Sequence, residues 1–118
     1  MTVLLDLVTL TELEKRLGRE RIMRVVAAQI ANARDLVKRL IELEAAPDAA
    51  QIKALAHQIA GSSGSIGLLH LSDTAVALET DAGAVEPSAL SGRVRGLREC
   101  LEESEAVLRR QFPELAGA

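Results

Sequence analysis

The sequence predicts an all-α protein, an antiparallel four-helix bundle of up-down-up-down order with a short additional helix at the N-terminus. Aliphatic residues recur at three- and four-residue steps along most of the 118-residue chain, which is typical of helices with one buried face. No segment alternates apolar and polar residues for long enough to require a strand. The connections between helical segments are short, which favours antiparallel neighbours. We expect a single domain over residues 1–118.

Two helical segments precede the first proline. The first covers Asp6 to Leu17 and ends before Gly18, with Thr9 or Thr11 as the expected N-cap. The second covers Arg19 to Glu44, about seven turns at 3.6 residues per turn, and has a continuous aliphatic stripe. These two segments predict a short helix followed by a long one.

A third helix is expected to begin at Pro47, because proline fits the first turn of a helix. The segment ends in a cluster of three glycines, Gly61, Gly64 and Gly67. One face of it is apolar and consists of Ile52, Leu55, Ala56 and Ile59. The opposite face is therefore expected to be open to solvent.

Two more helices complete the predicted bundle. The fourth covers Leu69 to Asp81, and Gly83 is a suitable stop after it. The last long helix opens at Pro87-Ser88 and ends at Pro113. Its leucines and valines repeat at three-, four- and seven-residue steps, as in a bundle helix.

Composition excludes several classes of function. The formal net charge is −3, and Phe112 is the single aromatic residue, so the chain lacks the basic, aromatic surface of a single-stranded nucleic-acid binder. Cys100 is the single cysteine and there are two histidines, which gives neither a disulfide framework nor the usual metal-ligand spacing. No apolar run approaches the roughly 18 residues of a membrane span, and no leader is evident. We expect a cytoplasmic protein.

His57 has an unusual setting on the third helix. Its same-face neighbours are Lys53, Ala60, Gly61 and Gly64, so the imidazole is expected to stand on a nearly bare surface. Glycine inside a helix costs about 1 kcal/mol relative to alanine, so glycines around a histidine need a reason, and close approach by another protein is one such reason. The ordinary alternative is a surface histidine followed by helix-ending glycines.

The stretch from Ala56 to Leu71, together with Leu78-Glu79, resembles the signature of histidine phosphotransfer (HPt) domains. That signature has a histidine, an aliphatic residue, glycine and small residues, a second glycine, and a Leu-Glu pair in the next helix. The positions in register are His57, Ile59, Gly61, Ser62, Ser63, Ile66, Gly67, Leu71, Leu78 and Glu79. The helix order outside this stretch is also similar to the family's bundle.

The resemblance implies a phosphoryl carrier in a two-component phosphorelay, without kinase or phosphatase activity of its own. Nε2 of His57 would receive a phosphoryl group from an aspartate of a response-regulator receiver domain and return it to an aspartate of another receiver. The expected partners are receiver domains and a histidine kinase, with no nucleic acid or membrane. The receiver would supply Mg²⁺, so no intrinsic cofactor or metal is expected, and the resemblance implies a monomer.

One position departs from the family's pattern. The family usually has a lysine three residues after the histidine, and this chain has Ala60. Lys53, one turn before His57, could supply the missing charge, or it could be an ordinary solvated lysine. The departure keeps a second hypothesis open, in which the chain is an adaptor or inhibitor that binds a receiver domain or histidine kinase without being phosphorylated.

Further residues are expected to support docking or the phosphoryl group. Gly61 and Gly64, with Ala60, would let the loops of a receiver close over the histidine. Gln58 and Ser65 lie near enough to donate hydrogen bonds, although a solvent-facing or capping role is equally compatible with the sequence. Glu79 is interpreted as structural.

Overall fold

The structure, a computed structural model, describes residues 6–117, and this part of the chain is helical with no strand. The α-helices are α1 (Leu7–Leu17), α2 (Arg19–Glu42), α3 (Ala49–Ser65), α4 (Leu69–Ala82) and α5 (Ser91–Gln111). Short 3₁₀ turns cover Leu43–Ala45, Pro87–Leu90 and Pro113–Gly117. Helices α2 to α5 pack as a closed ring and α1 packs against α2, which confirms the predicted bundle with an additional helix.

The core of the bundle is almost entirely aliphatic. Its fully buried large side chains are Ile22, Val26, Leu40, Ile59, Ile66, Leu68, Leu71, Leu78, Leu90, Leu97 and Leu108. Burial of each such side chain contributes about 1.5–3 kcal/mol, so the apolar stripes of the four long helices fix which face each helix turns inward. None of the helices in the described part of the chain is long and apolar enough to cross a membrane.

Asp6 caps α1. Its Oδ1 accepts the backbone N–H of Thr9 at 3.1 Å, and its Oδ2 accepts the Thr9 hydroxyl at 2.6 Å. The hydrogen bond from the Thr9 hydroxyl is the main reason why the pKa of Asp6 lies below its ordinary value. The expectation of a cap at Thr9 or Thr11 was wrong, because Thr9 lies inside the first turn as a donor and the carboxylate before the helix is the acceptor.

The start of α1 is tied to the turn between α3 and α4. The backbone N–H of Asp6 donates to the carbonyl of Gly67 at 2.7 Å. Gly67 has φ +78°, and a Cβ there would lie 3.0 Å from the Asp6 carbonyl oxygen. Both the left-handed conformation and the close approach require glycine at this position.

The connection from α2 to α3 differs from the prediction. Helix α2 ends at Glu42 rather than Glu44, since the chain tightens into the 3₁₀ turn. Asp48 is the N-cap of α3, and its Oδ1 accepts two backbone N–H groups, at 2.9 and 3.2 Å. Pro47 therefore precedes the cap and does not lie in the first turn, which corrects the expected start of this helix.

The later boundaries lie close to the predicted ones. Helix α4 begins at Leu69 as predicted and ends at Ala82, with Gly83 as its C-cap. Pro87 opens a 3₁₀ turn rather than α5 itself, which begins at Ser91. At the other end, Phe112 is the C-cap of α5, directly before Pro113.

A half-buried ion pair links α2 to α5. Arg34 Nε and Nη2 each donate to one carboxylate oxygen of Glu105, both at 2.6 Å. The Glu105 side chain is 10% exposed and that of Arg34 is 52% exposed. This bidentate geometry raises the pKa of Arg34 above its ordinary value, chiefly through the hydrogen bonds to Glu105.

Arg19, the first residue of α2, is paired with two glutamates. Arg19 donates to Glu14 at 2.8 Å and to both carboxylate oxygens of Glu114, at 2.8 and 2.9 Å. Its guanidinium also lies 4.5 Å above the ring of Phe112. Arg19 therefore joins the start of α2 to the C-terminal 3₁₀ turn.

Candidate functional site

His57 projects from the solvent-facing side of α3. Its side chain is 76% exposed, whereas the apolar residues Ala56 and Ile59 of the same helix are fully buried. The 3.6-residue period of the helix therefore places the imidazole outward, as the sequence predicts.

Glu79 of α4 holds one nitrogen of this imidazole. Nδ1 of His57 lies 3.1 Å from Oε1 and 3.3 Å from Oε2 of Glu79. An ionised carboxylate only accepts hydrogen bonds, so Nδ1 carries the proton that it donates. In a neutral imidazole, Nε2 then has a free lone pair, and the exposed ring presents it to solvent.

The role of Glu79 was missed by sequence reasoning, which interpreted it as structural. The two residues are 22 positions apart and lie on different helices. The available signal was the Leu-Glu pair at the end of the HPt-like signature, which does not state what the glutamate contacts.

A shallow, open depression surrounds His57 on the side toward the start of α3. It is lined by Ala50, Lys53, Ala54, His57, Gln58 and Glu79. The structure thus brings two of the predicted supporting residues, Lys53 and Gln58, to one surface with the histidine. The other four, Ala60, Gly61, Gly64 and Ser65, do not line this depression.

The predicted bare patch beyond His57 has two different parts. A Cβ at Gly61 would have no neighbouring side chain within 4 Å, so this position is open. A Cβ at Gly64 would lie 3.3 Å from Oγ of Ser72, whose hydroxyl donates to the carbonyl of half-buried Ala60 at 3.0 Å. Gly64 therefore has a packing role between α3 and α4. Both glycines lie inside α3 rather than ending it, and only Gly67 follows the helix.

Two of the three serine hydroxyls of this segment, those of Ser62 and Ser65, bind backbone carbonyls. Ser65 Oγ donates to the carbonyl of Ser62 at 2.7 Å, and Ser62 Oγ donates to the carbonyl of Gln58 at 3.0 Å. The Ser65 hydroxyl is thus engaged locally, whereas the exposed Gln58 side chain makes no hydrogen bond in the described part of the protein.

Charge is sparse on α3. Lys53 is the single charged residue among Ala49–Ser65, and it makes no ion pair with the residues at 6–117. Over the same residues there is no group of three or more His, Cys, Asp or Glu that could hold a metal ion. The site is one oriented imidazole with one free cation nearby.

Fold and site together define a class: a helical bundle that presents a single oriented histidine on an open helix face. The Hpt domain model matches residues 23–107, which is most of the chain, so this protein belongs to the Hpt domain family. That finding confirms the resemblance seen in the sequence.

The fold is also that of a solved structure. The crystal structure of histidine-containing phosphotransfer protein B (HptB) from Pseudomonas aeruginosa PAO1 matches with a TM-score of 0.75 and 22% sequence identity. The match covers 97% of this chain and 95% of that chain. Comparison with the curated proteins finds no match.

Proposed function

We propose that this protein carries phosphoryl groups between the aspartates of receiver domains, with His57 as the carrier in a two-component phosphorelay. The observation that carries the proposal is the hydrogen bond from Nδ1 of His57 to Glu79, at 3.1 Å, on a side chain that is 76% exposed. It leaves Nε2 as the nucleophile and directs it away from the protein. Membership of the Hpt domain family supports the same conclusion.

The transfer step follows from this geometry. The Nε2 lone pair attacks the phosphorus of an aspartyl phosphate, the N–P bond forms, the P–O bond to the aspartate breaks, and the aspartate leaves as a carboxylate. The imidazole gains a positive charge, which the Glu79 carboxylate balances through the Nδ1 proton. Transfer to the next receiver is the reverse of this step.

The remaining catalytic parts belong to the partner. Phosphoryl transfer needs neutralisation of charge on the equatorial oxygens, and we propose that the receiver supplies it through its own Mg²⁺ and lysine. This chain then acts without an intrinsic cofactor and without kinase or phosphatase activity. Open space at Gly61 leaves room for the receiver's loops beside the histidine. A histidine kinase is the expected upstream partner.

The test is incubation with phosphorylated receiver domains, following acid-labile, base-stable phosphate on the wild type and on His57→Gln. His70→Gln is the matched control, because His70 is the other histidine of the chain. We expect label on the wild type and on His70→Gln and none on His57→Gln.

A second function is favoured by Ala60, which leaves the usual lysine position without a cation. In that case the protein binds a receiver domain or kinase as an adaptor. Binding to a receiver without any label on the wild type would support the adaptor and refute the carrier.

A further inference from the structure

We propose that Lys53 binds the phosphoryl group on His57, so that the cation of this site lies one helical turn before the histidine. The inference rests on the proposed function of His57. Beyond that function, Lys53 is assigned contact with the transferred phosphoryl group, which then lies toward the N-terminal end of α3.

The surface around His57 has room for a phosphoryl group on the side of Lys53. Lys53 and His57 line the same depression, together with the small residues Ala50 and Ala54. Side chains on a helix lean toward its N-terminus, so the ring of His57 covers the turn that contains Lys53 rather than the turn that contains Gly61. A phosphoryl group on the exposed nitrogen therefore has room in this depression.

Lys53 also provides the positive charge that a phosphoryl group on His57 needs. A phosphoryl group carries about −1.5 to −2 charges near neutral pH, and the nearest carboxylate, Glu79, is engaged with the other ring nitrogen. Lys53 is the single charged residue of α3 and has no ion-pair partner in the described part of the chain. Its ammonium is thus the available counter-charge, and the free Gln58 amide is a second donor in the same depression.

A lysine ammonium acts on phosphate as a point charge that tolerates a range of geometries. It stabilises the charge on the phosphoryl oxygens during attack by Nε2 and in the phosphohistidine that results. The energy of one exposed charge pair is about 0.2–1 kcal/mol, and the upper part of this range, about 0.4–1 kcal/mol, corresponds to about a two- to fivefold change in rate.

The experiment uses a small donor, phosphoramidate, because it brings no protein surface and no Mg²⁺ of its own. Nε2 attacks phosphorus, the N–P bond of the donor breaks, and ammonia leaves, while Nδ1 keeps the proton shared with Glu79. The rate of phosphohistidine formation is measured at low salt and at about 1 M salt, where the Debye length falls to about 3 Å.

Four proteins are compared: wild type, Lys53→Ala, Lys53→Arg, and Lys38→Ala as control. Lys38 is an exposed lysine of α2, so its removal changes net charge equally. We expect Lys53→Ala to be about two- to fivefold slower at low salt, with the difference lost at high salt. Lys53→Arg should retain the wild-type rate within about twofold, and Lys38→Ala should match the wild type.

Two results separate this inference from the proposed function. If the wild type is labelled on His57 and Lys53→Ala reacts as fast as Lys38→Ala at low salt, the inference is overturned and the carrier stands. The same holds if Lys53→Ala remains slower than the wild type by the same factor at high salt. If the wild type takes no label, or His57→Gln takes as much, both fail together.

Discussion

The α3–α4 hairpin and the α2–α5 pair are built on different principles. Helices α2 and α5 each carry nine charged residues, whereas α3 carries one. The polar links between α2 and α5 are the half-buried Arg34–Glu105 pair and the hydrogen bond from Arg19 to the Gln111 carbonyl. Helices α3 and α4 are linked by the hydrogen bond from the Ser72 hydroxyl to the Ala60 carbonyl and by the His57–Glu79 contact. The hairpin thus leaves its outer face open for a partner, while charged side chains stabilise the opposite half. Function and stability should respond separately to substitutions in the two halves.

The largest effect on stability is expected from Arg34→Ala in the α2–α5 pair. Without this arginine, the Glu105 carboxylate, 10% exposed, loses both of its short hydrogen bonds. Removal of one partner from a fully buried pair costs about 3–5 kcal/mol. Because Arg34 is half exposed, we expect the free energy of unfolding, measured with urea, to fall by about 2 kcal/mol. Labelling of His57 should be unchanged.

Arg39→Ala is the control for that prediction. Arg39 also pairs with a carboxylate, Asp35, but both side chains are more than half exposed. Its loss should cost no more than about 0.5 kcal/mol. Equal effects of the two arginine substitutions would show that burial of Glu105 does not set the stability of this half.

Within the hairpin, Glu79→Ala should slow phosphoryl acceptance about tenfold, equivalent to about 1.4 kcal/mol of transition-state stabilisation. The free imidazole can then rotate and lose the tautomer that exposes Nε2. The rate for Glu79→Gln should lie between those of Glu79→Ala and the wild type, because the amide carbonyl oxygen still accepts the hydrogen bond from Nδ1–H.

Glu99→Ala, which removes an exposed glutamate from α5, is the control and should react as the wild type. If Glu79→Ala is labelled at the wild-type rate, Glu79 does not position the imidazole for phosphoryl transfer.

The two glycines of α3 should respond differently to alanine. Gly61→Ala gains helix propensity in open space and should raise the free energy of unfolding by up to about 1 kcal/mol. Gly64→Ala gains the same propensity but displaces the Ser72 hydroxyl, and the net change should be close to zero. In a Ser72→Ala background, which lacks that hydroxyl, Gly64→Ala should raise the free energy of unfolding by about as much as Gly61→Ala does in the wild type. Identical effects of Gly61→Ala and Gly64→Ala would contradict a close α3–α4 contact at Gly64.

The smallest effect concerns the cap of α3. Hydrogen bonds from the backbone of Gln51, and then from its side chain, hold the pKa of Asp48 below its ordinary value of 3.8. The folded state therefore binds this proton less tightly than the unfolded chain does. The stabilisation is present above about pH 3.8 and is lost as the pH falls through the folded value.

Asp48→Asn keeps an N-cap acceptor but does not titrate. The stability difference between wild type and this variant, from urea unfolding across pH, should be constant near neutrality and shrink below about pH 4. A difference that does not change with pH would show that the Asp48 charge adds nothing to the cap.

Much of the candidate site could be predicted because its signals are local. The order of the helices and the outward position of His57 follow from the 3.6-residue period of one segment. The cap at Asp6 was missed because several polar residues near a helix start compete for that role, and backbone geometry selects one. The sequence could not show that Gly64 packs against α4 whereas Gly61 is open, since both are glycines on one face of α3.

The sequence by itself determined the helical class, the buried stripes and the family, because each depends on neighbours within one or two turns or on a contiguous motif. Tertiary structure alone decided that Glu79 holds His57 across 22 positions and that Arg34 meets Glu105 across 71. Such contacts depend on how far one helix slides and rotates against another. Periodicity fixes which face is buried, but it leaves that relative placement open, and packing of the whole core selects it.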